Sequence, residues 1–100
     1  MLTSYDKKIL ADSIYNILNV IFAEYFCSKR HDYSMAVEYS KHSVSNSGTI
    51  EKIRLNNLKT DTVIWEADFT RLKTIGDFTF TIKDFEDFCA FHTAWSEVST

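Results

Sequence analysis

One hundred residues, of which 45% are apolar, 15% aromatic and 25% charged, suit a single folded domain over residues 1 to 100, with a second domain not expected, and match a globular rather than a disordered chain. Two glycines and no proline exclude collagen-like repeats, Pro-rich or Gly-rich linkers and a glycine-built phosphate loop. The net charge of -3 is uneven, because residues 1 to 76 carry ten Lys/Arg against nine Asp/Glu and residues 77 to 100 carry one against five, a layout that opposes binding to a phosphate backbone.

From Ser4 to Cys27 the residues Leu10, Ile14, Ile17, Leu18, Ile21, Phe22 and Tyr25 recur at intervals of three and four, with Asp12, Asn16, Asn19 and Ala23 on the opposite stripe. This spacing predicts one amphipathic helix. Thr3 or Ser4 caps its start, and Asp6 suits the positive end of its dipole. Asp12, Asn16, Asn19 and Glu24 interrupt the apolar run Ile9 to Phe26 at helical spacing, and no small-residue cleavage pattern follows, so neither a signal peptide nor a membrane span is expected. The cluster Lys29, Arg30 and His31 then complements the helix C-terminus.

The period next changes to two. Met35, Val37 and Tyr39 alternate with Ala36, Glu38 and Ser40, and Ser45-Asn46-Ser47-Gly48 marks a hairpin. Ile50 to Asn56 forms a second strand, although Ile50 is out of phase with Ile53 and Leu55. After a turn over Asn57 to Thr62, Val63, Trp65, Ala67 and Phe69 make an inward set against Ile64, Glu66, Asp68 and Thr70. Gly76-Asp77 marks another turn, and Phe78, Phe80 and Ile82 alternate with Thr79 and Thr81 as a fourth strand. At Lys83 the helical period returns, with Phe85, Phe88, Cys89, His92 and Trp95 on one face and a cap formed by Thr81 and Asp84 or by Asp84 and Asp87. The order predicts a two-layer α+β domain: an N-terminal helix, an antiparallel meander of three to four strands and a C-terminal helix, with both helices across one sheet face.

Two sets of residues are candidates for chemistry. Cys27 and His31, with Cys89 and His92, are four ligands of the type zinc prefers, if the helix ends converge; the competing reading buries the cysteines in the core. His42 and His92 are candidate general bases, but no nucleophile setting or oxyanion-hole glycines accompany them, so no catalytic residue and no cofactor is expected. Two cysteines 62 positions apart do not make a disulfide framework, which places the chain in the cytoplasm.

Surfaces offer more. Asp84, Glu86 and Asp87 lie beside Phe91, which falls off the apolar stripe of its helix, and together they make an acidic patch with an aromatic centre. The open sheet face is expected to show Glu38, Ser40, His42, Lys52, Arg54, Ile64, Glu66, Asp68, Thr79 and Thr81. There Ile64 is the apolar exception, so Ile64, Glu66 and Asp68 form a second partner-binding candidate. An edge strand is a third route, including one to a homo-oligomer.

The order helix, meander, helix in an acidic chain of 100 residues resembles the general build of small phage-encoded inhibitors, some anti-CRISPR proteins among them; the resemblance lies in element order and carries no motif. The same order is similar to double-stranded-RNA-binding domains, whose second helix opens with a lysine cluster. Here Lys83 is followed by Asp84, Glu86 and Asp87, which opposes RNA binding. The expected function is a small non-enzymatic module that binds another protein with a basic surface, and neither nucleic acid nor membrane; its specific form is a phage-type inhibitor of a host nucleic-acid machine, acting in the host cytoplasm. The alternatives are an oligomeric component of a viral or cellular assembly and a small Cys/His metal-binding or hydrolytic protein.

Overall fold

Thr3 closes the start of helix α1 (Ser4–Phe26) with a reciprocal pair: its hydroxyl accepts the Asp6 amide at 3.0 Å, and the Asp6 carboxylate accepts the Thr3 amide at 3.0 Å. Two backbone donors that the helix leaves open are thereby satisfied. The computed structural model describes residues 2–27, 32–40 and 49–98. The expected hairpin at Ser45 to Gly48, the cluster Lys29, Arg30 and His31, and His42 lie outside the described residues.

Three antiparallel strands, β1 (Tyr33–Tyr39), β2 (Ile50–Asn57) and β3 (Thr62–Asp68), form a meander with β2 in the centre. Two bulges correct the simple alternation. Glu38 pairs with Lys52 and Tyr39 with Ile50, so Glu51 is an extra residue that brings Ile50 into phase with Ile53 and Leu55, and all three are buried. On the other side Leu55 pairs with Trp65 and Asn56 with Val63, which leaves Ile64 as the extra residue. The expected phase of β3 is therefore overturned at its start: Val63 is 52% exposed, whereas Ile64 packs against the core.

The fourth strand is not formed. Residues 78–82 belong to helix α2 (Ile75–Val98), which begins eight residues before the expected Lys83. A short 3-10 turn, Phe69–Arg71, connects β3 to it. Thr74 and Asp77 repeat the closure seen at Thr3 and Asp6, because the Asp77 carboxylate accepts the Thr74 amide at 3.0 Å and the Asp77 amide donates to the Thr74 hydroxyl at 3.1 Å. Gly76-Asp77 is thus a helix start rather than a hairpin turn, and neither Thr81 nor Asp84 caps anything. Inside the helix the threonine hydroxyls turn back on the backbone, Thr79 to the Ile75 carbonyl and Thr81 to the Asp77 carbonyl, each at 3.0 Å.

Both helices cover the sheet face that carries Ile53, Leu55 and Trp65, and they run in the same sense. Ala11 and Phe78 line one cleft near the two N-termini, while Phe26 and His92 meet near the other end with ring centroids 6.0 Å apart. Ala11, Ile14, Leu18, Ile21 and Phe26 from α1 meet Phe78, Phe85 and Cys89 from α2 in one core. By length and composition α1 could cross a membrane, with a mean hydropathy of 1.2, but a core helix passes the same test, and here one face of α1 builds the core. Ile17, expected on that face, is 42% exposed, and Tyr5, Ile9 and Val20 are exposed with it.

Candidate functional site

Phe91 lies eleven positions after Phe80, about three helical turns or ~16 Å along the axis. The intervening spacing of four, three and four places Phe80, Asp84, Asp87 and Phe91 on one line of α2. Phe80 is 65% and Phe91 71% exposed, and Asp84, Glu86 and Asp87 are exposed as well. The candidate surface is therefore broader than the acids beside Phe91. Alternation alone assigns Phe80 to a strand and hides it as a site residue; the signal that finds it is the Thr74 to Asp77 capping pattern, which starts the helix early enough to bring Phe80 onto its outer line.

The acids of this surface are not equivalent. Asp84 accepts the Trp65 indole N–H at 3.0 Å, so it ties α2 to β3. Asp87 lies 3.5 Å from the Lys83 ammonium, one turn earlier, in a pair whose side chains are both mostly exposed. Exposed pairs of this kind contribute little to stability and open readily. Glu86 forms no ion pair among the described residues. Glu86 and Asp87 are consequently the carboxylates a partner can reach without disturbing the fold.

The second candidate patch does not assemble as expected. Ile64 is taken into the core at the bulge, which removes the apolar centre of the outer sheet face. Thr79 and Thr81 leave that face with the lost strand. What remains is a charged row in which Arg54 reaches Glu66 at 2.6 Å and Glu38 at 3.0 Å. These two contacts, that to Glu66 first, hold the guanidinium above its ordinary pKa. Asp68 accepts from the Thr70 hydroxyl and amide and lies 3.7 Å from Arg71. These contacts hold its carboxyl below the usual range, the Thr70 hydroxyl first. Glu66 and Asp68 are thus engaged within the chain.

The Cys/His set is divided. Cys89 is fully enclosed in the core, and burial pushes its thiol up to about 12, with the neighbouring Glu86 charge adding to the effect. A metal site needs a deprotonated thiolate, which this setting disfavours. Cys27 is exposed at the end of α1. His92 lies 3.1 Å from the Tyr33 hydroxyl through Nε2 and stacks on Phe88 at 5.5 Å, so it joins β1 to α2. Among the described residues no group of three or more His, Cys, Asp or Glu could hold a metal ion; His31 lies outside them. A direct consequence is that alkylation of the folded protein at neutral pH should modify Cys27 readily and Cys89 only after unfolding. Peptide mapping that finds equal modification of both would contradict the packing.

A cleft of about 260 Å³ opens between Ser4 and Lys7 of α1, Ser40 and Thr49 at the strand ends, and Phe69. It is smaller than the roughly 300 to 1,000 Å³ common for small-molecule sites. Among the described residues that line it, Lys7 and Glu51 are the charged groups, set among hydroxyls, and none is a cysteine or histidine.

Helix α2 opens at Ile75 rather than at Lys83, where a lysine cluster stands in double-stranded-RNA-binding domains. Its true start carries Lys73 with Asp77, and the Asp77 carboxylate accepts the Lys73 amide at 2.8 Å. The lysine cluster of those domains is missing here too. No protein-family model, curated protein or solved structure matches the chain.

Proposed function

We propose that the chain is a small non-enzymatic protein-binding module, and that its working surface is the line Phe80, Asp84, Asp87 and Phe91 of α2 with Glu86 at its flank. The observation that carries this reading is the exposure of two phenylalanines on the same helix line as the acids. Exposed aromatics framed by reachable carboxylates suit a partner that offers apolar pockets within a basic surface. The acids steer encounter, and the rings supply the buried area. A basic channel that normally receives nucleic acid has this chemistry. Inhibition of a nucleic-acid machine in the cytoplasm, the phage-inhibitor form of the reading, is thus its most specific version.

Glu86→Lys with Asp87→Lys reverses the reachable charge, and Phe80→Ala removes one anchor; Asp84 stays intact because it holds Trp65. Affinity capture from the native host should yield a partner whose binding falls with added salt. Titration calorimetry against that partner should show a loss of at least about tenfold, or ~1.4 kcal/mol, for either variant. Full affinity in both variants would refute the α2 surface.

A further inference from the structure

The two edges of the sheet differ. Edge strand β3 is interrupted by the bulge at Ile64 and carries Glu66 and Asp68, features that blunt a free edge. Edge strand β1 has no extra residue of its own over Tyr33–Tyr39, the register shift beside Tyr39 coming from Glu51 on β2, carries one charged residue, Glu38, and has no strand on its far side among the described residues. Its inward residues Met35 and Val37 are only half-buried against the core.

The hydrogen-bond phase shows which backbone groups of β1 face away from β2. The Leu58 amide donates to the Asp32 carbonyl at 2.7 Å, and the Ser40 amide donates to the Thr49 carbonyl at 2.8 Å. Even-numbered residues of β1 therefore point their backbone groups at β2, and Tyr33, Met35, Val37 and Tyr39 point theirs away from it.

The sequence of β1 is nearly palindromic in chemistry: Tyr33, Ser34, Met35, Ala36, Val37, Glu38, Tyr39. A second copy paired antiparallel about Ala36 sets Tyr33 against Tyr39, Met35 against Val37 and Ser34 against Glu38. Like chemistry meets like on both faces. The apolar pairs lie on the helix side, where they extend the core, and the polar pairs lie on the outer side. No two like charges face each other. The residues brought into hydrogen-bonded pairs by this register are the four whose backbone groups point away from β2 and have no backbone partner among the described residues, giving about eight bonds between the chains. An axis through Ala36 is also the isologous arrangement that homodimers favour. We propose that the β1 edge is a homodimer interface that joins two sheets into one of six strands. This interface is separate from the α2 surface and stands or falls independently of it.

Ala36 provides the test. It sits opposite Arg54 of its own chain, so Ala36→Glu is compatible with the folded protomer, but in the dimer the two introduced carboxylates face each other across the axis. Sedimentation velocity should find the wild type dimeric, Ala36→Glu and Ala36→Lys each monomeric, and an equimolar mixture of the two variants dimeric again. A wild type that stays monomeric at high concentration, as it would if the edge served an extended peptide of another protein, overturns the proposal. So does a dimer that Ala36→Glu leaves intact. Hydrogen exchange on the wild type removes any dependence on the variants folding: the Tyr33, Met35, Val37 and Tyr39 amides should gain roughly tenfold protection as concentration is raised through the association range, following mass action. Concentration-independent exchange at these four amides also overturns it.

Discussion

Phe85→Ala is expected to destabilise the protein by about 3–5 kcal/mol. Phe85 is fully buried at the middle of α2, and its ring meets Trp65 at a centroid distance of 4.7 Å in an edge-on arrangement. Truncation removes the transfer energy of a whole ring and leaves a cavity beneath the indole. The surroundings cannot close over it easily, because Asp84 holds the Trp65 N–H at 3.0 Å from the neighbouring position. A typical domain has only about 5–15 kcal/mol of stability in total, so the loss is a large share of it. For a chain of this size the melting temperature should fall by some 4–8 °C per kcal/mol. Urea melts read at tryptophan fluorescence measure the change, and a loss below about 1 kcal/mol would mean that α2 does not pack on β3 through this residue.

Thr81→Pro is expected to cost about 3 kcal/mol or more. Thr81 lies within α2, 7% exposed, with its hydroxyl on the Asp77 carbonyl. A proline ring there collides with the carbonyl one turn back and removes a backbone donor. The companion change Thr79→Ala distinguishes helix from strand, because alanine is the best helix former and a poor strand former. At the exposed Thr79 it should leave stability unchanged or raise it by a few tenths of a kcal/mol. A clear loss at Thr79→Ala would restore the strand.

That pair of substitutions probes the largest departure from the expected fold. Phe78, Thr79, Phe80, Thr81 and Ile82 alternate as a strand should, and threonine and phenylalanine favour strands. Yet Phe78, Thr81, Phe85 and Cys89, all buried, also recur at three and four, continuous with the helix read from Phe85 onward. Within five residues both periods fit. The Thr74 to Asp77 pair is the local signal that separates them, and it was readable in the sequence as a threonine followed three positions later by an acid. The two helices, the meander and most of the core follow from periodicity alone.

The bulges were less accessible. Ile50 out of phase announced the irregularity at Glu51, whereas nothing in Val63, Ile64 and Trp65 shows which of two adjacent β-branched residues turns inward. That choice depends on the partner register of Leu55 and Asn56. The acidic helix is legible in the sequence as a surface, but its division into structural and reachable carboxylates is not, because the Trp65 to Asp84 bond spans 19 positions. A contact of that range leaves no trace in local spacing.

The parallel run of the helices has a consequence for how the protein meets acid. Both positive dipole ends lie at the same end of the molecule, each closed by one carboxylate, Asp6 and Asp77. Both carboxyls sit below their ordinary pKa, Asp6 through the Thr3 backbone first and Asp77 through the Lys73 backbone first. A depressed folded pKa supplies stability above the unfolded value and loses it as pH falls through the folded one. Acidification below the ordinary carboxylate range therefore removes both closures, and hydrogen exchange at low pH should show the first turns of α1 and α2 both fraying while their far ends remain ordered.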